Sequence, residues 1–271
     1  MDLVLVSRRG LITIVFDAPS SMEYRIPGEM RGKRRLDNLS KNYGTCIEGK
    51  LLYVKHKLLR MIMNSSMKEH WDEIYAALDA DELTWYEEIP EPSIKLLSKC
   101  HINTDESILD VGAGSSTFVD YLVNQGFKNI IATDLSEIAL NKLKERLDEE
   151  KASLVRWIVD DITQPVHIQN LRDIAVWHDR AVLHFLLEEE QQQQYLSTLQ
   201  KVIGKGGYVI IAAFSLEGAK KCSGLNIKNY DQNMLAKFLG EDFSLLEYFD
   251  YKHYMPSGEP RPYIYTLFQK N

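Results

Sequence analysis

Short apolar runs alternate with amphipathic stretches along most of the chain, and each run stops at a polar or glycine residue. Apolar runs of about five residues are typical of buried strands, whereas apolar residues at every third and fourth position are typical of helices. The predicted strands are 107–111, 129–133, 155–159, 174–177, 208–214, 243–251 and 263–269. The predicted helices are 69–78, 92–100, 117–125, 136–150, 189–202 and 231–239. This alternation predicts βαβ units and a largely parallel sheet with helices on both faces.

The N-terminal part of the chain differs from the rest in charge. Residues 1–66 hold 12 Lys and Arg against 6 Asp and Glu; from totals of 32 and 39, this leaves 20 against 33 for residues 67–271. Residues 3–6 and 11–16 have the character of two short strands, and residues 31–35 form a basic cluster. We expect a basic N-terminal extension over residues 1–66, either disordered or an over-extended start, followed by one α/β domain.

Composition narrows the class of protein. The 45% apolar and 26% charged residues are ordinary for a globular chain, and no apolar run approaches the roughly 20 residues that span a bilayer. Three scattered cysteines without a CxxC pair predict neither a disulfide framework nor a metal site, and they favour a reducing, cytoplasmic setting. Because the main body is acidic, we expect no nucleic-acid partner and no membrane partner. We expect a monomer or a weak dimer.

The most informative segment is Ile108–Ser116, which joins a predicted strand to a predicted helix through two glycines. Gly112 and Gly114 allow the backbone to pass close to a ligand. Asp110 lies two residues before this turn, where a carboxylate disfavours a pyrophosphate but suits a cationic ligand. Thr117 stands where dinucleotide-binding enzymes have a third small residue, which counts against a nucleotide-linked oxidoreductase. That enzyme class and a non-catalytic cofactor-binding protein remain the alternatives.

Two further acidic residues follow the next two predicted strands. Asp134 comes 20 residues after Gly114, at the place where a carboxylate binds ribose hydroxyls, and Asp161 follows the third strand, where an adenine amino group is met. The carboxyl ends of parallel strands lie at one edge of a sheet. The sequence therefore predicts that these carboxylates and the glycine turn surround one cofactor.

These segments together resemble the class I S-adenosylmethionine-dependent methyltransferases over residues 67–271. The resemblance implies a Rossmann-like, seven-stranded, mostly parallel sheet with helices on both faces and an antiparallel last strand. It implies S-adenosyl-L-methionine as the cofactor and methyl transfer as the activity. Ser116 departs from the family pattern, because many members have a third glycine there. The cofactor-binding residues are expected to be Asp110, Gly112, Gly114, Ser116, Asp134, Leu135, Asp161, Ile162, Trp177, Tyr75 and Trp85.

The sequence leaves two classes of methyl acceptor open. Trp71–Tyr75, followed by Trp85 and Tyr86, is similar to the N-terminal arm of methyltransferase-like protein lysine methyltransferases. Trp177–Phe185 is instead similar to a bacterial branch related to thiopurine-type small-molecule methyltransferases. His178 and Asp179 are the candidate catalytic residues, as a base or as groups that orient the substrate. His184 is expected to be a hydrogen-bonded histidine of the core.

Overall fold

The computed structural model describes residues 67–271 in full and the strand backbone within residues 2–25. The chain divides into two units, Met1–Ser65 and Ser66–Asn271. In the first unit, β1 (Asp2–Ser7), β2 (Gly10–Asp17) and β3 (Ser21–Arg25) form an antiparallel sheet in that order. The two predicted strands are confirmed, whereas β3 has too few apolar residues to be predicted. The basic cluster at residues 31–35 lies outside the described residues.

The second unit contains a seven-stranded sheet in the order β11-β12-β8-β7-β4-β5-β6. Its strands are β4 (Ser107–Val111), β5 (Asn129–Asp134), β6 (Val155–Val159), β7 (Ile174–Arg180), β8 (Ile203–Phe214), β11 (Phe243–Tyr254) and β12 (Pro260–Lys270). The pairs among β4 to β8 are parallel, and β12 runs antiparallel to both of its neighbours. The predicted mostly parallel sheet with a reversed last strand is confirmed.

The helices of this unit lie before and between these strands in the chain. Helix α1 covers residues 67–77. The others are α2 (Glu91–Leu97), α3 (Thr117–Asn124), α4 (Glu137–Arg146), α5 (Glu149–Ser153), α6 (Glu189–Val202) and α7 (Gln232–Leu239). Two short strands, β9 (Lys221–Cys222) and β10 (Leu225–Asn226), form a small hairpin that was not predicted. None of the helices described in residues 67–271 is long and apolar enough to cross a bilayer.

One predicted helix is wrong in its extent. Residues 136–150 form two helices because Leu147 has extended backbone angles and Asp148 caps the second helix. The Asp148 side chain accepts a hydrogen bond from the Lys151 N–H at 2.8 Å, which supplies an N-cap. The stretch remains amphipathic across the break, and its apolar spacing therefore does not reveal the interruption.

Strand alternation decides which side chains reach each helical layer. Along β4, Ile108 belongs to the core cluster packed with α2 and α3, whereas Leu109 and Val111 belong to the cluster packed with α6 and α7. Asp110 points to the same face as Ile108, because side chains two residues apart on a strand share a face. His178 of β7 is the register partner of Asp110. The carboxyl ends of β4, β5 and β7 thus bring several polar residues to one edge of the sheet.

Candidate functional site

The glycine turn and Asp134 form the centre of this edge. Gly112 and Gly114 have φ angles of 63° and 51°, in the left-handed region that favours glycine. The Asp134 carboxylate, 8% exposed, accepts hydrogen bonds from the N–H of Gly114 (2.9 Å) and the N–H of Ser136 (2.8 Å). Burial raises the pKa of Asp134 to about 6, although these two N–H groups oppose the rise and nearby Asp110 adds to it. A carboxylate is therefore fixed directly beside the turn.

Side chains approach the turn so closely that neither glycine has room for a β-carbon. A Cβ on Gly114 would lie 2.3 Å from the Tyr75 hydroxyl oxygen, and one on Gly112 would lie 2.1 Å from Cγ2 of Val182. The Tyr75 phenol thus lies over the glycine turn, as expected for a residue of the cofactor site. Burial and the Asp134 charge hold the pKa of Tyr75 well above its usual value, so its hydroxyl keeps its proton.

An aromatic arm adjoins the turn. It consists of α1 and the loop after it, and its rings are those of Trp71, Tyr75 and Trp85. Phe185, beyond the end of β7, packs edge-on against Trp71 with ring centroids 5.1 Å apart. The arm is also bound to the sheet edge, because the Ser136 hydroxyl donates to Asp72 of α1 at 2.6 Å. This arrangement places an aromatic surface next to Gly114 and Asp134.

A buried charged group, here called the Glu87 cluster, attaches the end of the arm to the sheet; it consists of Glu87, Arg180 and His253. The Arg180 Nε lies 3.1 Å from one Glu87 carboxylate oxygen, and the His253 Nδ1 lies 3.5 Å from the other. The other ring nitrogen of His253 donates to the Thr84 carbonyl at 2.8 Å, and Arg180 Nη1 donates to the Trp85 carbonyl at 2.9 Å. Both ring nitrogens of His253 therefore face oxygen atoms of the arm.

Asp110 and His178 form a second buried pair at the same edge. Nδ1 of His178 lies 2.6 Å from Oδ1 of Asp110, and Nε2 lies 2.9 Å from the Ser93 hydroxyl of α2. The His178 ring also stacks on Phe118, with centroids 4.1 Å apart. Oδ2 of Asp110 is buried and has no hydrogen-bond partner among the described residues. Both ring nitrogens of His178 are therefore engaged, whereas Asp110 keeps one acceptor for a ligand.

Asp179 and Trp177 point to the opposite face of β7, against α6. The Asp179 carboxylate accepts from the N–H groups of Val182 and Leu183 and from the Tyr195 hydroxyl, at 2.9, 3.1 and 2.7 Å. Nε1 of Trp177, which is fully buried, donates to that same hydroxyl at 2.9 Å. Burial raises the pKa of Asp179 to about 6, although these hydrogen bonds oppose the rise. The structure thus places these two side chains in the core beneath the loop rather than beside the glycine turn.

The remaining predicted cofactor residues lie around the turn and at the ends of β5 and β6. Ser116 is the N-cap of α3 and accepts from the Phe118 N–H at 3.1 Å. Leu135 directly follows Asp134 and is half-buried, and Ile162 is buried. Asp161 accepts hydrogen bonds from the N–H and the hydroxyl of Thr163 at 2.8 and 2.7 Å. Their roles as cofactor ligands stay predictions.

His184 is buried, as expected of a core histidine. Its Nδ1 accepts from the Phe214 N–H at 3.4 Å. Burial, together with the nearby positive charge of Arg180, lowers the pKa of His184 to about 3. The imidazole is therefore neutral at physiological pH and packs between Phe185 and Phe214.

Three residues of this edge were missed from the sequence: Ser93, Glu87 and His253. Each becomes part of the site only through partners far away in the chain, such as Ser93 with His178, 85 residues apart. A local sequence pattern does not reveal such a contact. The only signal was the predicted helix start near Pro92, which placed Ser93 in the first turn of α2.

Comparison with known proteins gives one matching domain and several relatives. Residues 108–207 match the model of a methyltransferase domain. The chain is 28% identical over 157 residues to the mouse (Mus musculus) protein EEF1A lysine methyltransferase 2, a match that covers 54% of this chain and 64% of that protein. It is 26% identical over 198 residues to the human (Homo sapiens) protein of the same name, covering 66% of this chain and 75% of that protein. The chain thus spans less than two thirds of the mouse protein's length.

Solved structures agree on the fold. A SAM-dependent methyltransferase from Anabaena variabilis superposes with a TM-score of 0.62 at 14% identity, covering 77% of this chain and 95% of that one. The N-methyltransferase NodS of Bradyrhizobium japonicum, in complex with S-adenosyl-L-homocysteine, gives a TM-score of 0.56 at 15% identity, covering 74% and 98%. At such identities the likeness concerns the arrangement of the sheet and helices.

Proposed function

We propose that this protein, a class I S-adenosylmethionine-dependent methyltransferase, transfers the methyl group of its cofactor to a lysine side chain of a protein. The observation that carries the proposal is the aromatic arm beside the glycine turn, because aromatic and apolar walls suit the alkyl stem of a lysine. Relatives whose names say that they methylate a lysine of EEF1A support the same class of acceptor.

The matching methyltransferase domain and the relatives support the reaction type and the cofactor predicted from the glycine turn. The alternative of a nucleotide-linked oxidoreductase is therefore set aside. The acceptor, the oligomeric state, the absence of a nucleic-acid partner and the cytoplasmic location stay predictions.

The residues at this edge fit S-adenosylmethionine. Asp110 has a buried oxygen without a partner among the described residues, which suits the ammonium group of the cofactor's amino-acid end. We assign the ribose hydroxyls to Asp134 and the adenine side to Asp161 and Ile162. Burial is the main cause of the raised pKa of Asp134, and the nearby charge of Asp110 adds to it, so that a cationic ligand suits this edge.

When it is bound, the cofactor supplies an activated methyl group, so that the protein mainly has to hold the acceptor in line with it. A lysine acceptor must first lose its ammonium proton. His178 has both nitrogens engaged, and Asp179 has both carboxylate oxygens engaged. These contacts favour positioning roles for His178 and Asp179, and we propose that the lysine proton leaves to solvent.

The proposal is tested by incubating the protein with methyl-tritiated S-adenosylmethionine and a cell lysate, which is then separated into protein and small molecules. We expect radiolabel in the protein fraction and, after complete hydrolysis, in methylated lysine. The Asp134→Ala variant serves as the control for label that does not depend on this site. Label confined to small molecules would overturn the lysine assignment, and no label in either fraction would favour a non-catalytic cofactor-binding protein.

The rate of transfer should depend on pH through the acceptor. With a lysine pKa of about 10.4, the neutral amine is the minor form near neutrality, and its fraction rises about tenfold for each unit of pH. We therefore expect the single-turnover rate to increase steadily between pH 6.5 and 8.5 at saturating cofactor. The wild type and Asp179→Asn should share this slope if Asp179 positions the loop. A wild-type rate that levels off above pH 7, with a slope that appears only in Asp179→Asn, would identify Asp179 as the base.

We also propose that cofactor binding belongs to residues 67–271. The glycine turn, the aromatic arm and the carboxylates assigned above all lie within the second structural unit, Ser66–Asn271. A chain that starts at Met67 is therefore expected to fold and to bind S-adenosyl-L-homocysteine within about twofold of the full chain's affinity, since no ligand contact is removed. Calorimetry on both chains measures this, and an unfolded short chain would show that residues 1–66 contribute to the core.

A further inference from the structure

His178 connects Asp110 to a third residue, Ser93, through its two ring nitrogens. The Asp110 carboxylate is an obligate acceptor when it is ionised, so His178 presents an N–H from Nδ1 across the 2.6 Å contact. The second nitrogen, Nε2, then accepts from the hydroxyl of Ser93 at 2.9 Å. The three residues form a chain of hydrogen bonds that leads from α2 across β7 to β4.

The three hydrogen-bonded side chains are shielded from solvent. The side chains of His178 and Asp110 are only 2% and 3% exposed, and Ser93 is fully buried. Phe118 covers one face of the imidazole. Neither ring nitrogen is left to reach a substrate, so His178 has no free nitrogen with which to contact the methyl acceptor.

At its Asp110 end, this series of hydrogen bonds leaves one carboxylate oxygen for a ligand. Oδ2 of Asp110 is buried without a partner among the described residues, and it belongs to the residue two positions before Gly112. The N–H of His178 fixes the rotation of the Asp110 carboxylate, so that its second oxygen stays available to a cation.

We propose that Ser93 and His178 are positioning residues that hold the Asp110 carboxylate in the orientation that meets the ammonium group of the cofactor's amino-acid end. The inference rests on the proposed placement of the cofactor. It assigns His178 to cofactor recognition and gives α2, which the sequence did not connect with the site, a part in it.

The test uses two ligands that differ only at the amino-acid end. S-adenosyl-L-homocysteine carries the ammonium group, whereas 5′-deoxy-5′-methylthioadenosine keeps the adenine and ribose but lacks that end. His178→Phe retains the stacking on Phe118 and removes the N–H donor. By calorimetry on the full chain, we expect it to weaken the binding of S-adenosyl-L-homocysteine by about tenfold to a hundredfold, and the binding of methylthioadenosine by less than about threefold.

Two further variants separate positioning from simple packing. His178→Asn places an amide N–H near the position of Nδ1 and is expected to recover most of the affinity for S-adenosyl-L-homocysteine. Ser93→Ala, which leaves His178 in place, should give a smaller loss with the same preference between the two ligands. Thermal unfolding of each ligand-free variant identifies any that does not fold, and Ser93→Ala then carries the test.

The outcomes separate this inference from the proposed function. Equal losses for the two ligands in His178→Phe and in Ser93→Ala would overturn the positioning role while leaving the cofactor site intact. Failure of the unaltered protein to bind either ligand would overturn the placement of the cofactor itself. Weaker binding of S-adenosyl-L-homocysteine alone, restored by His178→Asn, is the result that the proposal requires.

Discussion

Replacing Asp134 with alanine is expected to weaken the binding of S-adenosyl-L-homocysteine by at least about a hundredfold. Two charge-assisted hydrogen bonds to the ribose would be lost, each worth about 1.5–3 kcal/mol. Asp134 also accepts the N–H groups of Gly114 and Ser136, so the substitution removes a support of the glycine turn itself. Calorimetry measures the affinity, and Asp105→Ala, which removes an exposed carboxylate before β4, is the matched control.

The same site should show a pH dependence of known sign. Burial raises the pKa of Asp134 to about 6 in the ligand-free protein, so the carboxylate takes up a proton as the pH falls through that value. A protonated acid accepts hydrogen bonds from the ribose less well, and the affinity should therefore fall between pH 7.5 and 5. Asp134→Asn, which does not titrate, should bind with nearly constant affinity over this range. Parallel profiles for the two proteins would show that another group causes the change.

The fold was predictable because its signals are local. Most strands of the large sheet contain a short apolar run, and β8 is buried along Tyr208–Phe214 without interruption. The break between α4 and α5 was not predicted. Asp148 caps the start of α5, and the spacing of the apolar residues does not show that a new helix begins there. Local pattern thus identifies an element more reliably than it identifies where the element ends.

Of the residues at this edge of the sheet, the sequence brought together only the glycine turn and Asp134, whose contact the structure shows. Gly112, Gly114 and Asp134 adjoin strand ends, and parallel strands bring their ends together whatever the details of packing. The Glu87 cluster depends instead on tertiary contacts, such as that between His253 and Thr84, which lie 169 residues apart. No periodicity or spacing links such residues, and their roles follow only from the folded chain.

The assignment of His178 illustrates the same limit. Its place near the end of β7 suggested a catalytic base, because that strand end faces the reacting group in the family that the sequence resembles. Side-chain direction alternates along a strand, so His178 faces α2 and α3 whereas Asp179 faces α6. A residue's position along the strand therefore does not show which side chains it contacts.

The Glu87 cluster leads to the largest expected effect on stability. The Glu87 side chain is 6% exposed and lies between Arg180 and His253, which are 13% and 4% exposed. Glu87→Gln leaves the buried Arg180 guanidinium without its counter-charge, and breaking a buried ion pair in this way costs about 3–5 kcal/mol. We expect a loss of about 3 kcal/mol in the free energy of unfolding, measured by urea denaturation at pH 7.5. The neighbouring Glu88→Gln, at an exposed position, should change it by less than about 0.5 kcal/mol.

The effect of Glu87→Gln should diminish in acid. Burial raises the pKa of Glu87, but Arg180 and His253 outweigh burial and hold that pKa below its usual value of 4.5. A carboxyl group with a lowered folded pKa stabilises the protein above its unfolded pKa, and this contribution is lost as the pH falls through the folded value. The difference in the free energy of unfolding between the wild type and Glu87→Gln should therefore be constant near neutrality and shrink below pH 4.5.

A double-mutant cycle tests whether Glu87 and Arg180 act as a pair. Adding Arg180→Met to Glu87→Gln should cost less unfolding free energy than Arg180→Met alone, because Glu87→Gln has already removed the carboxylate that Arg180→Met would leave buried without a partner. Additive losses would show that the two residues stabilise the arm independently.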